Sequence, residues 1–291
     1  MGDSPQILVL NVNHNRNKRE DLRSPRSPGI TEAIEISGQL QKSMLRMTGK
    51  FLNESTGTVD YKALGNSEEF RDYCTFASSL EKVDLASFSE QQLFAFFINI
   101  YNALTVHSIC ETQKTSDIGS ALDVPNFWAT HGYIIGGFIF TLDDIEHGIL
   151  RGNRPHPSTG KPVLGLTDTR VSFSIKQVDP RIHFALNCGA KSCPVVRVYN
   201  CSNLDAALEA ATESYLSQGV VADDSNRPLK IPKIMLWYMS DFARTQTGML
   251  KWIESYVGPS EREAIKFLLD TNKGDDTESV QYVYDWSLNK A

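Results

Sequence analysis

The chain has 291 residues, of which 41% are hydrophobic and 10% aromatic, with a formal net charge of −6. Such a composition suits a packed core and excludes disorder over most of the length, and the acidic balance with no basic stripe excludes a nucleic-acid binder. No apolar run follows a basic start, no stretch reads as the ~20 apolar residues of a membrane span, and the five cysteines (Cys74, Cys110, Cys188, Cys193, Cys201) are odd in number and unevenly spread. The expectation is a cytoplasmic protein with reduced thiols and no membrane contact, in which the Asn-x-Ser/Thr patterns at Asn53 and Asn200 are chance matches.

In chain order, residues 1–29 are rich in charge, Ser and Pro and read as a disordered tail. Order is expected from 30 onward. Thr31 is placed to cap a helix running to about Leu52, with Ile34, Ile36, Leu40, Met44, Leu45 and Phe51 along one side. VDYKAL reads as extended. Ser67 offers the cap of a second helix carrying Phe70, Tyr73, Phe76 and Leu80. Ser89 then precedes QQLFAFFINIYNALTVHSIC, apolar around nearly its whole circumference, the mark of a central buried helix. Asn99 and Asn102 share one face of it, and buried amides need partners. Either they tie neighbouring loops to the helix, or Asn102 orients a catalytic group.

YIIGGFIFTL reads as a hairpin turning at Gly136-Gly137. LDDIEHGILRG follows as a short helix ended by Gly152, and residues 153–170 as a Pro/Gly-rich loop. RIHFALNC is expected to be a strand. A helix over 203–219 and a VVADD/RPLKIP hairpin come next. Two helices over about 246–256 and 260–270 follow, and VQYVYDW closes the chain as a strand. Helices gather early and strands late, so the fold class is α+β: a single domain over 30–291 with helices around an antiparallel sheet.

The stretch RIHFALNCGAKSCP concentrates reactive chemistry. Strand alternation would send Ile182, Phe184, Leu186 and Cys188 to the core, and Arg181, His183, Ala185 and Asn187 to the opposite face. Cys188 is then a buried hydrophobe, whereas Cys193 follows the GAKS turn beside Lys191, where local amides and charge favour thiolate. EHGILR supplies Glu146, His147 and Arg151. A zinc set of Cys188, Cys193, His147 and His183 is the competing reading, weakened by the lack of a second close ligand pair. Nucleotide-loop, hydrolase-elbow and zincin motifs are absent, and no cofactor is expected.

FFINIYNALTVHSI, LDDIEHGILRGNR, DPRIHFALNCGAKSCP, KIMLWYMSDF and YDWSLN resemble, in order, the blocks of the domain-of-unknown-function 547 family, from about residue 31 to the C-terminus. Similar domains stand after DEP and glutaredoxin modules in animals and after coiled coils in plants. The resemblance implies kinship with papain-like and transglutaminase-like folds, which use a cysteine at a helix start and a histidine on a strand. The positions matching the family's blocks are Asn102, Glu146, His147, Arg151, Arg181, His183, Cys188, Ser192, Cys193 and Asp285. The long helix departs from that pattern, presenting Asn99 and Asn102 where a papain-like enzyme has its cysteine.

Three functions follow as expectations. The first is a cysteine-dependent hydrolase or acyl-transferase acting on a small anionic or peptide-like substrate. Cys193 would be its nucleophile, His183 or His147 its base, and Glu146, Asp285 or Asn102 the orienting group, with Arg151, Arg181, Lys191 and Ser192 at the substrate. The second is a non-catalytic module binding a ligand or peptide in the same pocket. The third is a zinc-dependent enzyme or zinc-stabilised domain.

Overall fold

The computed structural model describes residues 6–12, 30–222, 229–271, 273–275 and 279–291. Its elements are β1 (Leu8–Val9), α1 (Ile30–Lys50), β2 (Leu52–Asn53), β3 (Thr58–Val59), α2 (Tyr61–Asn66), α3 (Glu68–Ala77) and α4 (Glu90–Thr115). After these come α5 (Phe127–Thr130), β4 (His131–Ile135), β5 (Phe138–Thr141), α6 (Leu204–Gly219), β6 (Val221–Ala222) and β7 (Leu229–Pro232). The chain closes with α7 (Ile234–Trp237), α8 (Met239–Phe242), α9 (Gln246–Ile253), α10 (Pro259–Asp270) and β8 (Val280–Val283).

The mixture of helices and small sheets is α+β. α4 is the axis of the larger core. Ser89 and Gln92 close a reciprocal capping box at its start, and most of its residues from Leu93 to Cys110 are buried against α1, α2, α3 and the β4–β5 hairpin. The hairpin turns at Gly136 and Gly137, with φ of 59° and 82°, the left-handed pair that a tight two-residue turn requires. A second core joins α6, α9 and α10 to β7 and β8. The segment around residues 180–199 bridges the two, with Ile182 packed in the first core and Phe184 in the second.

Several expectations are corrected. Residues 6–12 do not belong to a disordered tail: β1 runs parallel to β4, and buried Asn11 donates to the carbonyls of Ala77 and Ile134. The remainder of 1–29 (1–5 and 13–29) lies outside the described residues. YKAL is helical rather than extended, because the Asp60 carboxylate accepts from Ala63 N at 2.8 Å and caps it. The two three-stranded sheets are mixed rather than antiparallel: β4 is parallel to β1 and antiparallel to β5, and β7, antiparallel to β6, is parallel to β8 across a crossover of four helices. Among the described residues one helix, α4, is long and apolar enough to cross a membrane by length and composition, contrary to the sequence expectation, but 94% of its apolar window is buried inside the protein.

The largest correction falls on RIHFALNC. Pro180–Phe184 is a 3-10 helix, started by the Asp179 carboxylate accepting from Arg181 N at 3.0 Å, with Pro180 in the first turn. The two-residue alternation therefore does not apply, and Cys188 is not sent to the Phe184 face.

Candidate functional site

Two polar assemblies adjoin each other between the two cores. The first forms where the chain reverses after residue 187. Gly189 has φ of 88°, and a Cβ there would stand 2.5 Å from Ile109 Cδ1, so only glycine fits. The reversal is sewn to the C-terminal segment by Lys191 N to Ser287 O and Ser192 N to Asp285 O. It brings Cys193 Sγ to 2.9 Å from Cys188 Sγ. Tyr284 OH lies 3.3 Å from Cys188 Sγ and 3.2 Å from Cys193 Sγ. Cys188 N–H also donates to Cys193 Sγ at 3.2 Å.

These contacts divide the two thiols. Burial pushes Cys193 up, but the hydrogen bonds from Cys188, Tyr284 and the Cys188 amide outweigh it and bring the group below the ordinary thiol value. Cys188, as the donor to Cys193 and under burial, is held well above it. The first proton the pair loses therefore comes from Cys193, and the remaining one stays on Cys188.

Cys193 opens onto a cleft of about 250 Å³ whose other walls include Lys191, Ser192, Arg197 and Tyr215. Arg197 Nε is buried there and finds no acceptor among the described residues. Tyr215 OH donates to Ser192 O at 2.8 Å and fixes the rim. Ser192 Oγ accepts from Asp285 N, and Asp285 Oδ1 accepts from Ser287 N, so Asp285 holds an exposed turn and orients no histidine among the described residues.

The second assembly is built on LDDIEHGIL, which forms a π-helix over Asp144–Leu150, with Arg151 N bonded to Glu146 O at 2.8 Å. Arg151 is buried and forks onto Asp241 of α8, with Nε 2.6 Å from Oδ2 and Nη2 3.2 Å from Oδ1. The same carboxylate takes His183 Nε2 at 2.9 Å and Arg154 at 3.0 Å. Its side chain is 0% exposed, and although burial opposes ionisation, His183 and Arg151 hold it well below the usual carboxylate range. His183 stacks on Tyr238, with ring centroids 3.8 Å apart. Tyr238 OH donates to Glu146 Oε1 at 2.5 Å. Burial raises the Glu146 carboxyl, but His147, Tyr238, His183 and Tyr101 together lower it.

Arg151 Nη1 donates to His147 Nδ1 at 3.0 Å. Burial pushes His147 down to about 3, so its ring is neutral. With Nδ1 an acceptor, the proton sits on Nε2, which faces Asp143 at 3.9 Å. Asp143, His147 and His156 are grouped like metal ligands, but in this tautomer His147 has no lone pair to give there. Among the described residues, neither of the two groupings with metal-ligand geometry contains Cys188 or Cys193, so the zinc set read from the sequence is not assembled.

The remaining expected residues take structural places. Asn102 donates to Ala185 O at 2.9 Å and accepts from Asn187 N at 2.8 Å. Asn99 likewise clasps the Tyr199 backbone at 2.7 and 2.9 Å, so both amides tie the bridging segment to α4. Arg181 is committed to Asp179, Asp205 and Glu209, which hold its guanidinium well above its ordinary value, and it lines a different cleft from Cys193. No hydrogen bond joins Cys193 to His183, whose Nε2 is taken by Asp241. Sequence reasoning missed Asp241, Tyr238, Tyr284 and Arg197. The first two sit one helical turn apart in KIMLWYMSDF, and Tyr284 directly precedes the chosen Asp285.

Fold and site together define an α+β protein with a thiol pair, of which Cys193 lines a cleft, and a buried acid–base network. Residues 85–216 match the family model described as "Protein of unknown function, DUF547", the family that the sequence blocks resemble. No curated protein and no solved structure matches the chain.

Proposed function

We propose that the protein is a cysteine-dependent hydrolase or acyl-transferase for a small anionic substrate, with Cys193 as its nucleophile. The observation that carries the reading is the 2.9 Å contact between Cys188 Sγ and Cys193 Sγ, which lets Cys188 donate to Cys193 and favours thiolate on the cysteine that lines the cleft. Lys191 and the unpartnered Arg197 Nε give that cleft its preference for negative charge. The reading keeps the nucleophile of papain-like and transglutaminase-like enzymes but not their histidine partner. His183 and Arg151 lock the Asp241 carboxylate behind the site, and Cys188 with Tyr284 takes over stabilisation of the thiolate. Reduced thiols suit a cytoplasmic setting.

The charge preference is tested by comparing iodoacetate with iodoacetamide. The ratio of their rates at Cys193 is expected to exceed the ratio for glutathione, and Arg197→Gln is expected to lower it. A ratio equal to that of glutathione, unchanged by the substitution, contradicts an anion-selective cleft.

The 2.9 Å contact between the sulfurs favours a second reading, thiol–disulfide exchange. The Cys193 thiolate would attack a partner's disulfide, releasing one partner thiolate. Cys188, on losing its proton, would then attack the mixed disulfide and release the second, leaving the pair oxidised and the partner reduced. Incubation with oxidised glutathione followed by mass spectrometry separates the two. Exchange gives a peptide two mass units lighter spanning Cys188 and Cys193, and group transfer leaves both thiols free.

A further inference from the structure

Away from this cleft, α3 and α4 bring three donor groups of different chemistry together. Cys74 comes from α3, while His107 and Glu111 stand one turn apart on α4. Their ligand atoms all lie within 4.8 Å of one another, with Cys74 Sγ 3.5 Å from His107 Nε2 and His107 Nε2 3.9 Å from Glu111 Oε1. We propose that Cys74, His107 and Glu111 bind a divalent transition-metal ion of the zinc class.

The distances match a metal's coordination shell. A tetrahedral zinc with Zn–S near 2.3 Å and Zn–N near 2.0–2.1 Å separates its sulfur and nitrogen ligands by about 3.5 Å. The Cys74–His107 edge already has that length, and the His107–Glu111 edge closes with a small side-chain rotation of a carboxylate that is 29% exposed.

The ring's orientation matches as well. His107 Nδ1 lies 2.7 Å from Tyr133 OH, which in turn lies 2.9 Å from Tyr73 OH. Tyr133 can accept from Nδ1–H and donate onward to Tyr73, which leaves the Nε2 lone pair aimed at Cys74 and Glu111. A ligating histidine is usually fixed in this way by a partner on its other nitrogen.

Charge and access complete the case. One thiolate and one carboxylate neutralise a divalent ion, so the half-buried site bears no net charge once filled. Lys114 bonds Glu111 Oε1 at 2.5 Å, but it is 30% exposed and free to swing outward when the ion takes that oxygen. Three protein ligands leave a fourth position for water or an incoming group. Cys74 precedes the family-matched segment, so the site combines a residue outside it with two inside. With a soft sulfur, an imidazole and a carboxylate, the set suits zinc, cobalt or nickel over magnesium or calcium.

The experiment titrates the full chain, reduced and metal-stripped, with Co²⁺. One equivalent is expected to produce the near-ultraviolet thiolate-to-cobalt charge-transfer band, and Zn²⁺ is expected to displace it. Cys74→Ser should abolish the band, and Glu111→Gln should weaken binding at least about tenfold. Should Cys74→Ser fail to fold, the parent chain and Glu111→Gln decide the matter alone. Absence of the band in the parent chain overturns the proposal. So does a band that survives Cys74→Ser but is lost when Cys188 and Cys193 are both replaced by serine, which would put the metal at the cleft thiols. Binding by the parent chain that Glu111→Gln leaves unchanged would also contradict the three-ligand site.

Discussion

Asp241 gathers Arg151, Arg154 and His183 onto one side chain with no exposure to solvent. Replacing it by asparagine leaves the Arg151 guanidinium, itself 2% exposed, without its counter-charge. Breaking a buried pair in this way costs about 3–5 kcal/mol. Asp241→Asn is therefore expected to lower the urea midpoint sharply, and a midpoint within error of the parent would show that Arg151 finds another anion. Residues of this kind were not legible in the sequence, because Asp241 lies 58 positions from His183 and 90 from Arg151 and no local pattern links them. Asn99 and Asn102 were legible as amides on one face of an apolar helix that must find partners, and their hydrogen bonds serve the first of the two roles read for them, tying neighbouring backbone to α4. The division between the two cysteines was reached from a strand that does not exist, and in the structure it rests on their mutual hydrogen bond instead.

Among the elements, the long helices and the β4–β5 hairpin were readable because cap, periodicity and turn residues all agreed. RIHFALNC misled because its apolar alternation mimics a strand, while the Asp179-Pro180 pair just before it specifies a capped helical turn. The Asp60 cap before YKAL is the same kind of signal. In the hairpin, both turn glycines have positive φ, but a Cβ on Gly136 would meet Val83 O at 2.5 Å, whereas nothing lies within 4 Å of one on Gly137. Each alanine substitution incurs backbone strain of about 1 kcal/mol or more. Gly136→Ala is expected to be the more damaging of the two, because it also displaces the Val83 backbone, which caps a 3-10 turn over Ser78–Lys82. Equal thermal midpoints for the two variants would contradict that close approach.

For the whole molecule, the parallel partnerships of β1 with β4 and of β7 with β8 escaped the sequence reading. Strands of two to four residues carry too little pattern to declare a distant partner. Stability should also depend on pH through buried groups. Burial depresses His147 to about 3 and lowers His131 and His183, so the unfolded chain takes up these protons below its ordinary value near 6.5 while the folded chain does not. Their contribution is whole above that value and is lost as pH falls. Asp143, pushed up to about 7 by burial, acts oppositely: it ionises in the unfolded chain above about 4 while staying protonated when folded, so its contribution is lost as pH rises towards 7. The histidines outnumber it. The urea midpoint is expected to rise from pH 5 to pH 6.5, by on the order of 1 kcal/mol per pH unit for each net proton. A flat or falling midpoint over this range would mean that Asp143 dominates.

The central proposal is a thiolate at Cys193 that Cys188 sustains. The direct measurement is the rate of iodoacetamide labelling at each cysteine as a function of pH, read by mass spectrometry, in the parent chain and in Cys188→Ala. Cys193 should label first, with a midpoint below the ~8.5 of an ordinary thiol, and Cys188→Ala should move that midpoint upward because the donor is gone. Labelling of Cys188 before Cys193, or a Cys193 midpoint at or above the ordinary value and indifferent to Cys188→Ala, would contradict the nucleophile assignment.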